Sequence, residues 1–515
     1  MALTLAHKLP DGDRAALLDD YASHCFELHD LANAISARET AIELFGRIGD
    51  LARQSEALSR HALPLVRALR HADADAASQR AIAIAATLPP GGPRLGSALA
   101  TEAHLRMLSR DYAEAVAWGH KAIALAGQHG DEETLAVAYN CVGAALLFVD
   151  YTRGSEYLQT GLKIAGALAD GGVRAAEAYA MLGAGSGEAY QLAIADRFLA
   201  EGIGFARARD LDRLADYMEA WQALVNMYRG RWEAASDQAS QYLHCHASPD
   251  RLMALVALGR LRTRRGDADA DEALDLAQAL ADQSGTLQLA APVRCARAEN
   301  AWLAGDLPRV RREARAAFEL ANKQGHPWLA GELAYWLSRS GDPERAPTAC
   351  AEPFALQIGG HWREAAAAWE KIGCPYEQAR ALAEGDEAAQ REALVIFDRL
   401  GASPMADRLR QHMRAAGVRA VPRGPRASTR GNIAGLTARE VQVLALVANG
   451  WQNARISARL SRSPRTVEHH LAGILSKLDA SSRNEAVARA RARGIIPQPV
   501  LPQQARQPER ARQTA

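Results

Sequence analysis

The chain has 515 residues, 48% of them hydrophobic, 23% charged and 6% aromatic, with a formal net charge of +1. That length and balance fit a globular protein of two to four domains. No run of about 18 apolar residues occurs and the six cysteines are scattered without a C-x-x-C, which excludes a membrane span and a disulfide framework and makes a reducing cytoplasm the expected compartment.

The near-neutral total hides an asymmetry. From Gly417 to Ala515 there are 17 Lys and Arg against 5 Asp and Glu, a net +12. Of the chain's 61 basic and 60 acidic residues this leaves 44 against 55 in the remainder, a net −11. A basic end on an acidic body predicts two jobs, with a polyanion as the partner of the basic part. The acidic body is also expected to screen the basic part when no signal is present.

The amino terminus, "MALTLAHKLPDGDRAALLDD", turns acidic too soon for a secretory signal. From there to residue 415 the pattern predicts helix after helix, rich in alanine, the best helix former. A unit recurs in which a turn is followed by a bulky residue and then by small residues at fixed offsets. "HDLANAISARETAIELF" places Ala34 and Ala41 seven apart, and "RDYAEAVAWGHKAIALA" does the same with Ala115 and Ala122. "LAIADRFLAEGIGFA" has Ala195 and Gly202, and "RGRWEAASDQASQYL" has Trp232, Ala235 and Tyr242. Small residues are needed where paired helices cross, and the aromatic fills the gap between neighbouring pairs. These segments resemble tetratricopeptide repeats in the pattern G-D-Y-x-x-A-x6-A, at intervals of about 35 to 45 residues. The expectation is a helical solenoid over 1–415 that receives an unknown protein or small-molecule ligand. Trp118, Trp221, Trp232, Trp302, Trp336, Trp362 and Trp369 are the candidates to line a concave groove but are expected mostly in the core, and the carboxylates mostly on solvated faces. "HCH" at His244–His246 is not expected to hold a metal, since adjacent helical positions point apart.

"RAVPRGPRASTRGNIAG" follows. It is rich in proline, glycine and arginine and has no acid, so residues 416–431 read as a flexible basic linker. At the other extreme of this region, residues 497–515 are rich in proline, glutamine and arginine and are expected to be disordered.

Between them, residues 432–496 predict four helices. Thr437 and Glu440 form a T-x-x-E capping box for the first, which runs to Gly450. Asn453 is the expected N-cap of the second, with Ile456 and Leu460 buried. After the turn "SRSP", Ser463 caps the third and Pro464 takes its first position. Val467, Leu471, Ile474 and Leu478 form its apolar stripe. The opposite face carries Arg465, His469, Ala472, Gly473 and Ser476, with Glu468 at the flank. The fourth helix turns Ala486, Val487 and Ala490 to the core and ends at Gly494. A short helix, a tight turn and a longer helix with a small-centred, basic-rimmed face is helix-turn-helix geometry, in which the second helix enters the DNA major groove.

This segment resembles the LuxR-type DNA-binding domain. The family's L-T-x-R-E-x-x-V-L is matched by Leu436, Thr437, Arg439, Glu440, Val443 and Leu444. Its S-x-x-T-V-x-x-H is matched by Ser463, Thr466, Val467 and His470, and its I-x-x-K-L and later S-R by Ile474, Lys477, Leu478, Ser482 and Arg483. The sequence departs at Gln452, Arg455 and Asp479-Ala480, where relatives usually have Ser, Glu and Gly-Val. The resemblance implies that Arg465, Thr466 and Lys477 touch phosphate and that Glu468, His469 and Ala472 face bases. It implies double-stranded DNA and RNA polymerase as partners, and a homodimer through the fourth helix, about 482–493. A glutamate at 468 accepts from cytosine N4 and does not grip guanine.

The order of repeats, linker and domain resembles the C-terminal half of large LuxR-type regulators, which carry an N-terminal ATPase. No G-x-x-x-x-G-K-[ST] occurs here, so either the protein is a short version or its true start lies upstream. No nucleophile-base arrangement stands out; no enzyme activity, cofactor or metal is expected. The expected fold is all-α, and the expected function is transcription regulation. The alternative is a repeat scaffold whose terminal domain has lost DNA binding.

Overall fold

The computed structural model describes all residues except 1–8, 29, 90–92, 244–250, 285, 343–345, 425–435, 461, 493–494 and 497–515. The "HCH" segment, Gly494 and the Pro/Gln/Arg-rich end therefore lie outside the described residues, as does the second part of the linker, 425–431. Among the described residues there are 26 helices and no strand. The chain divides into two compact units, residues 1–422 and 423–515.

The first unit is a run of 22 helices from Asp11 to Ala415, each packed on its chain neighbours. The local cause is repeated punctuation. A residue with positive φ ends one helix, as at Gly49, Arg110, Gly130 and Gly305. The aspartate that follows caps the next. Asp50, Asp111, Asp131 and Asp306 each accept a hydrogen bond from the backbone N–H three residues on. The turn-then-small pattern is this device seen from the sequence.

The small residues sit where predicted. Ala34, Ala41, Ala115, Ala122 and Ala195 have no measurable exposure. The tightest crossing joins Glu132–Leu146 to Tyr151–Ala167, where Gly143, Gly154 and Gly161 bring the backbones together. A Cβ on Gly154 would lie 2.5 Å from Leu147 N and 2.8 Å from Gly143 O. Gly154→Ala is therefore expected to force these helices apart and cost about 1–3 kcal/mol, the range for overpacking. Thermal unfolding of the full chain checks this; an unchanged or raised midpoint would contradict the close approach.

Trp221, Trp232, Trp302, Trp336 and Trp369 are buried, as expected of core residues, whereas Trp118 and Trp362 are half-buried. The carboxylates are less uniformly solvated than expected. Glu299, Glu332 and Glu377 are buried with Arg260 and Arg264 in the middle of the solenoid. Arg264 Nε donates to Glu299 Oε1 at 2.7 Å and its Nη2 to Glu377 Oε1 at 2.6 Å, while the guanidinium stacks 3.9 Å over Tyr376. Arg260 Nη2 donates to Glu332 Oε1 at 2.8 Å. Pairing of this kind offsets much of the cost of burying the charges.

The coil is tight enough for distant segments to meet. Gln324 Nε2 donates to Ser109 O at 2.8 Å, and His326 Nε2 lies 2.9 Å from Glu188 Oε1.

The first part of the expected linker belongs to this unit. Val418 and Val421 pack on its core. Arg391 donates to Arg419 O and Ala420 O, and Arg410 Nε to Pro422 O at 3.0 Å. The basic character of the segment concealed two valines that complete the last helix pair.

Candidate nucleic-acid interface

The second unit is built on four helices, Ala438–Ala448, Asn453–Leu460, Pro464–Lys477 and Arg483–Ala492. The first opens with the predicted capping box. Glu440 N donates to Thr437 Oγ1 at 3.1 Å, and Thr437 N donates to Glu440 Oε2 at 2.7 Å. Gly450, with φ of +77°, makes the turn to the second helix.

The second helix starts one residue earlier than expected. Ile456 N donates to Gln452 O, so Gln452 holds the capping position and Asn453 is already helical. Asn453 is used otherwise: its Oδ1 accepts from Arg483 Nη2 at 2.7 Å, tying the second helix to the fourth. Arg455, a departure from the family pattern, is exposed and lies 4.1 Å over the ring of Trp451. Trp451 standing four residues before Arg455 is a signal that the sequence already carried.

The third helix begins at Pro464 under a Ser463 cap, whose Oγ accepts from Thr466 N at 3.2 Å. Its stripe is buried as predicted: Val467, Ile474 and Leu478 pack with Leu436, Val443, Leu444, Ile456, Ala486 and Ala490 in one small core. Leu471 is half-buried against the same cluster.

With that face sealed, Arg465, Glu468, His469 and Ala472 are exposed together on the other side. Their spacing of three and four residues places them along one strip of the helix. Thr466 is half-buried, its Oγ1 at 2.8 Å from Ser463 Oγ. His470 is half-buried beside His469.

One placement differs from the sequence reading, and a second adds a partner that it did not foresee. Gly473 does not face outward. A Cβ there would lie 2.8 Å from Glu440 Oε1, so the glycine makes room for that carboxylate. Lys477 does not stand free on the basic rim. Its Nζ donates to Glu440 Oε1 at 2.9 Å and Oε2 at 2.6 Å, although about a third of the side chain stays exposed. Burial alone would raise the Glu440 carboxyl, but the hydrogen bonds from Lys477 and Thr437 outweigh it and hold the group below its ordinary value. The capping box and the third helix are thus one electrostatic unit. Sequence reasoning separated them because Glu440 and Lys477 are 37 residues apart.

Other basic residues of this unit are also internal ties. Arg439 Nη2 donates to Leu460 O at 2.8 Å, holding the end of the second helix. Arg489 reaches Leu478 O at 3.1 Å and Asp479 Oδ2 at 3.2 Å. Asp479 has φ of +51°, a conformation that glycine, the family's usual residue there, adopts without strain.

Residues 434–490 match the model of the GerE family, bacterial regulatory proteins of the luxR family. The probable transcriptional regulatory protein SgaR of Hyphomicrobium methylovorum is 51% identical over 53 residues, covering 10% of this chain and 25% of that protein. The transcriptional regulatory protein FixJ of Azorhizobium caulinodans is 45% identical over 65 residues, covering 13% of this chain and 31% of its own. The likeness to these relatives thus spans less than a third of their length. The solenoid is similar to a solved structure of the Rap conjugation gene regulator of plasmid pLS20 in complex with the Phr* peptide. That similarity has 13% identity and a TM-score of 0.42, over 70% of this chain and 96% of that one.

Proposed function

We propose that this protein, whose carboxyl-terminal domain belongs to the luxR family, is a non-catalytic cytoplasmic regulator of transcription that binds double-stranded DNA. The third helix of the second unit enters the major groove with Glu468, His469 and Ala472 toward the bases and Arg465 and Thr466 toward phosphates. The observation that carries this reading is the strip of four exposed residues, 465, 468, 469 and 472, on a helix whose opposite face packs on the small core. Lys477 contributes to phosphate binding only by sharing its ammonium with Glu440. Arg455, held over Trp451, supplies a further cation on the preceding helix.

Base readout per subunit is weak, because Ala472 offers only a methyl group and Glu468 only an acceptor. Affinity therefore leans on phosphates and on pairing of two copies through the fourth helix, about 482–493. The solenoid receives the signal, and RNA polymerase is the downstream partner.

The test is a gel-shift titration of the full chain and of residues 417–515 on DNA from the protein's own promoter, at two salt concentrations. Binding that weakens steeply with salt is expected. Arg465→Ala and Arg455→Ala should each lower affinity and reduce the salt slope by about one. No binding at low salt would eliminate the reading and leave a repeat scaffold with an inert terminal domain.

A further inference from the structure

The solenoid contains a cavity of about 340 Å³, the size of a small-molecule site. Its wall is assembled from helices far apart in the chain: Leu51–Arg67, Pro93–Leu108, Gly172–Glu188, Asp212–Tyr228 and Leu287–Leu303. Most of that wall is apolar, with Leu63, Val66, Leu108, Phe148, Met181 and Leu289 in it. Each of these is only half-buried although it lies inside the coil, because its inner surface faces the cavity. The space is not a general looseness of the fold. Elsewhere in the same solenoid Gly154 packs on Leu147 so closely that a Cβ has no room. An apolar wall without an occupant forfeits dispersion contacts, and water, which needs several polar partners, does not replace them.

The charged groups of the lining are already engaged. Asp75 is bound by Arg106, whose Nε lies 2.9 Å from Glu102 Oε1. Glu188 accepts from Arg110 Nη2 at 2.5 Å and pairs with His326. Glu177 accepts from Arg174 Nη1 at 3.1 Å. Arg213 lies 3.7 Å from Glu27 Oε2 and 4.9 Å over the ring of Phe26, and Arg67 too is engaged within the protein. Burial takes His104 down to about 4 and lowers His71 as well, so neither is charged at neutral pH. Among the described lining residues no cation or carboxylate is left over to balance an ion. An ion taken out of water without a partner is strongly disfavoured. The occupant such a wall accepts is an uncharged one.

The position of the cavity gives its occupant leverage. Ser109, Arg110, Phe148 and Glu188 line it. Three of these same residues also meet a later turn of the coil. Ser109 O accepts from Gln324 Nε2 at 2.8 Å, Glu188 Oε1 lies 2.9 Å from His326 Nε2, and the rings of Phe148 and His326 are 4.6 Å apart. Contacts made inside the cavity therefore brace the groups that receive residues 324–326.

We propose that this cavity binds an uncharged, mainly apolar small molecule of the medium-chain alcohol or ester type, and that the occupant tightens the closure of the coil between residues 109, 188 and 326. The wall runs from Leu63 to Leu289, so the occupant links segments that no single helix pair joins. The inference deepens, and rests on, the reading that the solenoid receives the signal.

The test is calorimetric titration of the full chain at neutral pH with 1-decanol, beside methyl decanoate, sodium decanoate, decylamine and glycerol. One decanol or one methyl decanoate per chain is expected, with decanoate and decylamine each at least about tenfold weaker and no binding of glycerol. Leu289→Trp and Val66→Phe each put a larger side chain into the cavity and should weaken decanol at least about tenfold with unchanged circular dichroism. Should one variant fail to fold, the other carries the comparison. Decanol should also slow hydrogen exchange at 324–330, beyond the cavity wall. No decanol binding by the folded chain, decanoate or decylamine binding as tightly as decanol, or folded variants that bind decanol normally would each overturn the assignment. Protection confined to the wall helices overturns the link to coil closure. Promoter binding is measured with and without decanol. A chain that binds the promoter but not decanol sinks the cavity alone, and one that binds decanol but not the promoter sinks the DNA reading alone. Decanol binding that leaves promoter affinity unchanged keeps the site and removes its role as the signal receptor.

Discussion

Ala472→Glu is expected to weaken DNA binding about 100-fold or more while leaving the unfolding midpoint of the second unit almost unchanged. Ala472 is exposed at the middle of the third helix, away from the small core. Glutamate is nearly as good a helix former as alanine, so the folded state should move by less than about 0.5 kcal/mol. In the groove the consequences are different. The added side chain keeps the helix backbone away from the base edges, and its charge stands among phosphates. Loss of one well-made base contact costs about 1–3 kcal/mol, and each tenfold in affinity is about 1.4 kcal/mol. Repulsion from the backbone of the duplex adds to this. Ala472→Ser, of similar size and without charge, should change affinity only a few-fold. Fluorescence anisotropy on a labelled promoter fragment, paired with thermal unfolding, separates the two effects. Full affinity in the glutamate variant would mean that this face never meets the duplex.

The small centre of that face was readable from the sequence because a helix repeats locally. The same holds for Ala115 and Ala122 in the solenoid, seven residues apart on one helix, and for the T-x-x-E of the capping box. Each depends on neighbours within two turns. What could not be read depends on how far apart segments return to one another. His326 meets Glu188 and Arg264 meets Glu377 because of the pitch of the coil, which accumulates from many small inter-helix rotations. No single spacing encodes it. Within the second unit, Gly473 looked like part of a smooth outer face, but its helical position gives only a direction, and Glu440 comes from another helix to fill that side. The Asp-capped turns are an intermediate case. They are local and visible, but the sequence reading weighed the bulky residue after the aspartate rather than the cap itself.

Glu440→Ala is the change expected to cost the second unit most. Glu440 is the N3 partner of the capping box and the acceptor for Lys477, and it is 7% exposed. Losing the reciprocal cap costs about 1 kcal/mol. Losing the charged hydrogen bonds from Lys477 adds about 1–2 kcal/mol, the lower part of the range because Lys477 is 36% exposed and partly screened. A total of about 2–3 kcal/mol is a large share of what a domain this small holds. Glu440→Gln keeps a capping side chain and loses only the charge, so it should cost less, at most about 1–2 kcal/mol. The pH dependence follows from the lowered carboxyl. A carboxylate with a depressed folded pKa stabilises the fold above its unfolded value, and that contribution disappears as pH falls through the folded value. Urea unfolding of the second unit should therefore show wild-type stability falling below about pH 4.3, the ordinary glutamate value, with the glutamine variant lacking that part of the fall. Glu440→Ala should lower DNA binding in proportion to the unfolded fraction, offset in the folded fraction by the Lys477 ammonium it releases to phosphate, and cooling should restore binding to at least the wild-type level. Ala472→Glu should not be rescued by cooling. A Glu440→Ala variant as stable as wild type would show that the Glu440–Lys477 pair does not hold the third helix in place.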